Sequence, residues 1–499
     1  MAKINSRVSA HSMLTAVSSK PVGPGQTHPL SALDHAMALH TVHVVFYYKK
    51  NPFGIFDVDP LRVSLSEVLS LYPQVTGRLT RGESGNWEVK CNDAGVRVVR
   101  AEVGVTIDEW LGSADGSEEK DLTAWDEMPE DPSTWSPFRI QVNEFVGGGV
   151  AFGLSCPHMN ADPTSLTLLF KSWIESHRQE PIEHPPLLDA PTRRHLVPDT
   201  SGKSADHYAD KANSRTPSVK MVTATFRFSN SAISKCLGEV RDQCPKATPF
   251  DLLVALFWTR LVHLKAPKHD DKCSLSVCLD FRRLVQPPIP LGYFGNASHF
   301  SVLTLDEEEM SCRKLGHVVE SVRRHVSGVG EEEVCSVLDW LESQKEVGGR
   351  YAPPFRMYGP ELTCVSMEHT IVGNKSLMSS ASFKSDEKPV HVACHFGNVG
   401  GEGLIVVLPS VEEDLARTVI LTLPEEEMPA LCEDQAIQRL QPTMLISGGI
   451  TVTAQVRKSM QLSHRSYCSI IHRCFAYQYS GNLAVFGGGL GKFMTKDTI

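Results

Sequence analysis

β-branched and aromatic residues crowd the run from Thr41 to Tyr48 and predict a strand. From Pro60 to Leu71 the period changes. Leu61, Leu65, Val68 and Leu69 follow the i, i+4, i+7, i+8 spacing of a helix with one buried face. That helix must stop before Tyr72-Pro73, because the residue preceding proline resists helical backbone. A hairpin is expected from Trp87–Cys91 and Val96–Arg100, with Asp93-Ala-Gly95 supplying the turn. Three glycines, 147–149, then precede the apolar run Val150–Cys156, which reads as a buried strand. Pro163 opens an amphipathic helix through Trp173. Between strand and helix lies His158-Met-Asn-Ala-Asp162, on the kind of loop that faces an open cleft.

Residues 1–29 show no period and are expected to be a flexible N-terminus, with order beginning at Leu30–Asp34, whose acidic end caps an apolar run. Residues 181–220 carry six prolines and no hydrophobic period, and are expected to be a crossover linker. The second half restarts with an alternating strand, Val222–Phe228. A helix follows, begun by Thr248 as its cap and Pro249 in its first turn. Further strands are predicted at Leu275–Leu279, Leu362–Val365, Val390–Cys394 and Leu404–Leu408, and a last helix within Pro424–Leu431. The reading is therefore mixed α/β, or α+β, in two layered domains at 30–180 and 221–440, followed by an atypical tail at 441–499.

Length supports two domains, since a single core rarely serves 499 residues. Apolar residues make up 41% and charged residues 21%, an ordinary globular balance. With a net charge of −9 and no basic stripe, no nucleic-acid partner is expected; Arg193-Arg194-His195 reads as a solvated loop. The 13 cysteines form no Cys-x-x-Cys pair, which fits a reduced, cytoplasmic setting. The start carries no secretory signal pattern, and no run reaches the roughly 18 apolar residues of a membrane span. The glycine-rich run from Phe486 to Gly491 lacks the βαβ context of a nucleotide site.

Three readings of His158 and Asp162 stand side by side. His158 can serve as a general base, since imidazole titrates near neutrality. The pair can ligate a metal, but the sequence offers no second compact pair of ligands, and no metal is expected. Asp162 followed by Pro163 is also a ready helix start that needs no chemistry. Cys156, two residues before His158, sits in an apolar strand and reads as a buried, inert thiol rather than a nucleophile.

The His158-x-x-x-Asp162 run resembles the signature of the plant BAHD acyl-CoA-dependent acyltransferases. A longer stretch carries the resemblance further: Asp280-Phe-Arg282, then Pro287-Pro288-Ile-Pro290, then Tyr293-Phe294-Gly295-Asn296. Tyr72-Pro73 and Gly77-Arg78-Leu79 resemble an earlier family block, so the likeness spans roughly residues 28–435. Cys91–Val99 and Leu423–Glu427 look closest to the Eceriferum/Glossy wax group. Members of that group assist very-long-chain fatty-acid elongation for cuticular wax, some of them without acyl transfer.

The resemblance implies a chloramphenicol-acetyltransferase-like fold with a channel between two similar-sized domains. It also implies a monomer and acyl transfer to an alcohol or amine, with His158 as base, acyl-CoA as co-substrate and no cofactor. Asp162 would be structural and paired with Arg282, supported by Asp280. The alternative it implies is a non-catalytic partner of a fatty-acid elongase condensing enzyme, peripheral at the endoplasmic reticulum. Three departures stand out. Pro163 replaces a usual glycine. The late Asp-Phe-Gly-Trp-Gly block appears as His395-Phe396-Gly397-Asn398-Val399, and residues 443–499 have no counterpart.

Overall fold

The buried apolar runs become the central strands of two sheets in the computed structural model. It describes residues 6–448, apart from 24, 52–57, 190–198, 216–217, 266–271, 312–313, 385–386 and 413. The first half supplies β1 (Val8–Ala16), β2 (Thr41–Tyr48), β3 (Val96–Val103), β4 (Arg139–Phe145) and β5 (Val150–Pro157). The second half supplies β6 (Met221–Phe228), β7 (Lys272–Asp280), β8 (Ser298–Asp306), β9 (Leu362–Ser366), β10 (His391–Phe396), β11 (Leu404–Pro409), β12 (Arg417–Pro424) and β13 (Thr443–Leu445). One sheet has the order β1-β3-β4-β5-β2-β10, the other β8-β7-β9-β11-β12-β6-β13.

Strand β5 is buried along its whole length, between β4 and β2, so it reads as a continuous apolar run rather than an alternating one. Gly153 is required there, because a Cβ would come within 2.1 Å of the Leu122 carbonyl oxygen. Although β10 comes from the second half of the chain, it pairs antiparallel with β2, from His391 opposite Tyr47 to Phe396 opposite Val42. The first sheet is thus completed by a strand from the far end of the sequence.

Helix α1 (Ala32–Ala36) precedes β2, and α2 (Val58–Leu69) packs on α4 (Pro163–His177), the helix after β5; the short α3 (Gly116–Lys120) lies between β3 and β4 in sequence. Helix α5 (Lys203–Asn213) leads into the second half, where α6 (Pro249–Leu264) is buried against the second sheet and α7 (Glu331–Ser343) packs on α5. Helix α6 begins where its sequence signals place it. Thr248 caps the backbone of Asp251, and the Asp251 carboxylate accepts from the Thr248 N–H at 2.8 Å.

Several expectations are corrected. Residues 8–16 are not loose: β1 forms the sheet edge beside β3, with Ala16 buried and Leu14 packed on the core. The hairpin of 87–91 with 96–100 does not form. Trp87–Lys90 pairs with Arg78–Arg81 and with Thr27–Pro29 in a small separate sheet, while Val96–Val103 joins the first sheet. Between the two runs, the Arg78 guanidinium donates to the carbonyls of Ala94 (3.0 Å) and Gly95 (2.9 Å). The stretch 181–220 is not wholly irregular, because α5 lies within it. Pro424 ends a strand, and the short helix there is Met428–Cys432. Arg193–His195, the glycine-rich run and the tail beyond 448 lie outside the described residues.

Candidate active site

The loop after β5 brings His158 into the protein interior, where the residue is fully buried. Its backbone N–H donates to the His40 carbonyl at 2.8 Å, which anchors the loop to the turn before β2. The ring is held at both edges. Nδ1 lies 2.9 Å from Asn296 Oδ1, and Nε2 lies 2.8 Å from the Tyr358 hydroxyl. Asn296 fixes the tautomer. Its Nδ2 donates to Asp34 Oδ1 (2.8 Å) and to the His158 carbonyl (2.7 Å), so its Oδ1 must accept. Nδ1 of His158 therefore carries the proton and Nε2 presents a lone pair, to which Tyr358 donates. Asp34 is aimed by the capping box of α1, where its other oxygen accepts from the Ser31 N–H and hydroxyl, both at 2.7 Å. Burial lowers the His158 pKa against the opposing pull of Asp162, Asn296 and Asp34, so the ring is neutral at pH 7.

Asp162 faces away from the imidazole. One carboxylate oxygen caps α4 by accepting from the Ser165 N–H at 2.8 Å. The other accepts from Arg282 Nη1 at 2.8 Å and from the Ala297 N–H at 3.0 Å. Arg282 also pairs with Asp280 and donates through Nη2 to the Tyr293 carbonyl at 2.9 Å. Burial alone would raise the Asp162 carboxyl, but Arg282 and the backbone donors hold it below the usual range. This buried cluster fastens the His158 loop to the segment 293–297, and hence Asn296 to His158.

The late block divides between two environments, because β10 alternates its faces. Phe396 stacks on the His158 ring (centroids 5.7 Å apart) and packs at a tilt against Tyr358 (4.6 Å). The Gly397 carbonyl accepts from His40 Nδ1 at 3.0 Å, and a Cβ at Gly397 would collide with Thr41 Oγ1. Asn398, at φ 60, donates to the Leu39 carbonyl. His395 is not at the site. It lies within 2.6 Å of the buried Glu119 carboxylate, which also accepts from the Tyr47 hydroxyl at 2.6 Å. Cys156 is buried, with its thiol pushed well above its ordinary pKa by burial, so it offers no thiolate. Among the described residues no three His, Cys, Asp or Glu side chains are grouped for a metal, and no helix is long and apolar enough to cross a membrane.

Sequence reasoning missed Asp34, His40 and Tyr358. The acidic cap at Asp34 was visible as a helix start, but nothing tied it to Asn296. A cavity of about 260 Å³ is walled by Ala32 and Ala36 of α1, Trp340 and Leu341 of α7, and Tyr351 and Phe355. The segments carrying Asp34 and Tyr358 therefore also border an apolar hollow.

A match to the transferase family runs from residue 8 to residue 437. Protein ECERIFERUM 26-like of Arabidopsis thaliana is 26% identical over 424 residues, covering 83% of this chain and 92% of that protein. Hydroxycinnamoyltransferase of Narcissus pseudonarcissus is 27% identical over 403 residues, covering 78% of this chain and 90% of that protein. Among solved structures, vinorine synthase shares the fold with a TM-score of 0.63 at 19% identity, covering 85% of this chain and 96% of that one. The family match spans all of the first sheet, all but the last strand of the second and every residue around His158, so the chain belongs to the transferase family, the BAHD acyltransferases that its motifs resemble.

Proposed function

We propose that this acyltransferase moves an acyl group from acyl-CoA to an alcohol or amine, with His158 as general base. One observation supports the reading: Asn296, aimed by Asp34, keeps the His158 proton on Nδ1, burial favours the neutral ring, and the Nε2 lone pair is directed at the Tyr358 hydroxyl. The acceptor's nucleophilic atom loses its proton toward Nε2 and attacks the thioester carbonyl, forming the new C–O or C–N bond. Collapse of the tetrahedral intermediate breaks the C–S bond, and the imidazolium returns the proton to the departing CoA thiolate. Asn296, accepting from Nδ1–H, steadies the imidazolium, and the nearby Asp34 carboxylate backs it. No covalent enzyme intermediate and no cofactor are needed. The test is CoA release from p-coumaroyl-CoA or stearoyl-CoA with hexadecan-1-ol or tyramine. His158→Ala should lower kcat at least about 100-fold; an alanine variant with full activity removes His158 from the base role.

A second reading is supported by the likeness to ECERIFERUM 26-like and by the engagement of Nε2 with Tyr358. In it the chain promotes very-long-chain fatty-acid elongation beside a condensing enzyme, at the cytoplasmic face of the endoplasmic reticulum, without chemistry at His158. Co-expression with a condensing enzyme would then lengthen the fatty-acid products equally for wild type and His158→Ala. Unchanged chain lengths would eliminate this reading.

A further inference from the structure

Tyr358 is held from three sides. The N–H of Met357 donates to His40 Nε2 at 3.0 Å, and that ring's Nδ1–H is committed to Gly397, so His40 acts as a fixed neutral acceptor. On the other flank, Lys211 Nζ donates to the carbonyls of Met357 (2.9 Å) and Gly359 (2.8 Å) and pairs with the Glu361 carboxylate. The Lys211 side chain is wholly buried, so an ammonium has been desolvated to clamp the two peptide units around one tyrosine. The phenol ring is packed by His40 (centroids 4.8 Å), Phe300 (5.5 Å) and Phe396 (4.6 Å). A side chain so confined does not swing aside cheaply. Its hydroxyl donates to His158 Nε2, and among the described residues its oxygen accepts no hydrogen bond within the buried site.

We propose that Tyr358 is a second catalytic residue, the phenol through which the acceptor's proton reaches His158. The inference rests on the general-base reading. As the acceptor oxygen or nitrogen attacks the thioester carbon, its proton passes to the Tyr358 oxygen while the Tyr358 proton passes to Nε2. Tyr358 ends the step neutral, His158 ends it as imidazolium, and the proton balance of the direct mechanism is unchanged. The return path protonates the CoA thiolate the same way. Burial raises the Tyr358 pKa well above 10, so the phenol keeps its proton throughout the working pH range and serves as a conduit rather than as the base.

The experiment pairs His158→Ala with Tyr358→Phe, which keeps the ring packing. CoA release is measured with p-coumaroyl-CoA or stearoyl-CoA as donor and hexadecan-1-ol or tyramine as acceptor. The relay predicts that Tyr358→Phe lowers kcat about 100-fold with little change in KM. It also predicts that the wild-type rate curves downward in mixtures of light and heavy water, as two moving protons require. Tyr358→Phe at wild-type rate, with His158→Ala dead, overturns the relay and leaves the base standing. An active His158→Ala overturns the base itself. The hydrogen bond is read without any substrate in 15N-histidine-labelled protein. Tyr358→Phe must move one Nε2 resonance, the one absent from His158→Ala; if no resonance moves, the proposal fails.

Discussion

At the scale of single residues, Arg282 holds the most exposed position energetically, although it is fully buried. One guanidinium neutralises Asp162 and Asp280, whose side chains are almost wholly buried too. Arg282→Met keeps much of the volume but leaves two interior carboxylates without a counter-charge. The expected cost is about 3–5 kcal/mol, seen as a lower denaturant midpoint. The His158 loop should loosen with it, because Asp162 also caps α4. A midpoint within error of wild type would show the pair to be dispensable. His158 and Asp162 stood out as a loop motif, and the pairing of Asp162 with Arg282 came from the family resemblance. Asp34 and Tyr358 were not legible: Asp34 meets Asn296 across 262 positions and Tyr358 meets His158 across 200, and no local spacing encodes such contacts.

At the scale of elements, α5 shows why a helix can hide in a stretch that reads as a linker. Its buried positions are Ser204, Ala205, His207, Tyr208 and Lys211, at helical spacing but mostly polar. The helix carries no apolar periodicity, because His207 is satisfied by Ser276 and Lys211 by Glu361 and two carbonyls rather than by packing alone. Lys211 is a positioning residue for the 357–361 segment. Lys211→Met should lower kcat by about 10- to 100-fold with KM nearly unchanged, as expected when a reacting group is displaced by around an ångström. Equal falls in kcat and in folded fraction would mark Lys211 as structural only. Helices α4 and α6 were legible because their caps, Asp162-Pro163 and Thr248-Pro249, are written in adjacent residues. The hairpin at 87–100 does not form because the partners of both runs, Arg78–Arg81 and Arg139–Phe145, lie outside the local window that its turn residues suggest.

At the scale of the whole molecule, buried neutral histidines set the acid limit. Burial holds His40, His43, His207 and His391 down to about 3 each. The unfolded chain takes up these protons near pH 6.5, the native protein only near 3. Protons therefore favour unfolding, and stability falls as pH drops below 6.5. Each histidine contributes a slope of about 1.4 kcal/mol per pH unit through the middle of that window. Glu119 and Asp162, both held below their usual range, add losses in the same direction at lower pH. Denaturation midpoints measured from pH 7.5 to 5 should fall steeply; a flat profile would mean these histidines are not buried neutral. The mixed α/β class was legible because strands and helices alternate along both halves. The sheet membership of His391–Phe396 was not, since an apolar strand carries no mark of which edge it will join.

That strand has a consequence for how the protein is made. While the ribosome is still translating the second half, β2 has emerged with its apolar outer edge unpaired, and its partner lies some 340 residues downstream. The first sheet must wait through most of synthesis for its last strand, exposing a sticky edge at the stage when nascent chains most readily aggregate. Completion of that sheet also closes the aromatic wall of Phe396 over His158, so the surroundings of His158 are not finished until the second half has been made.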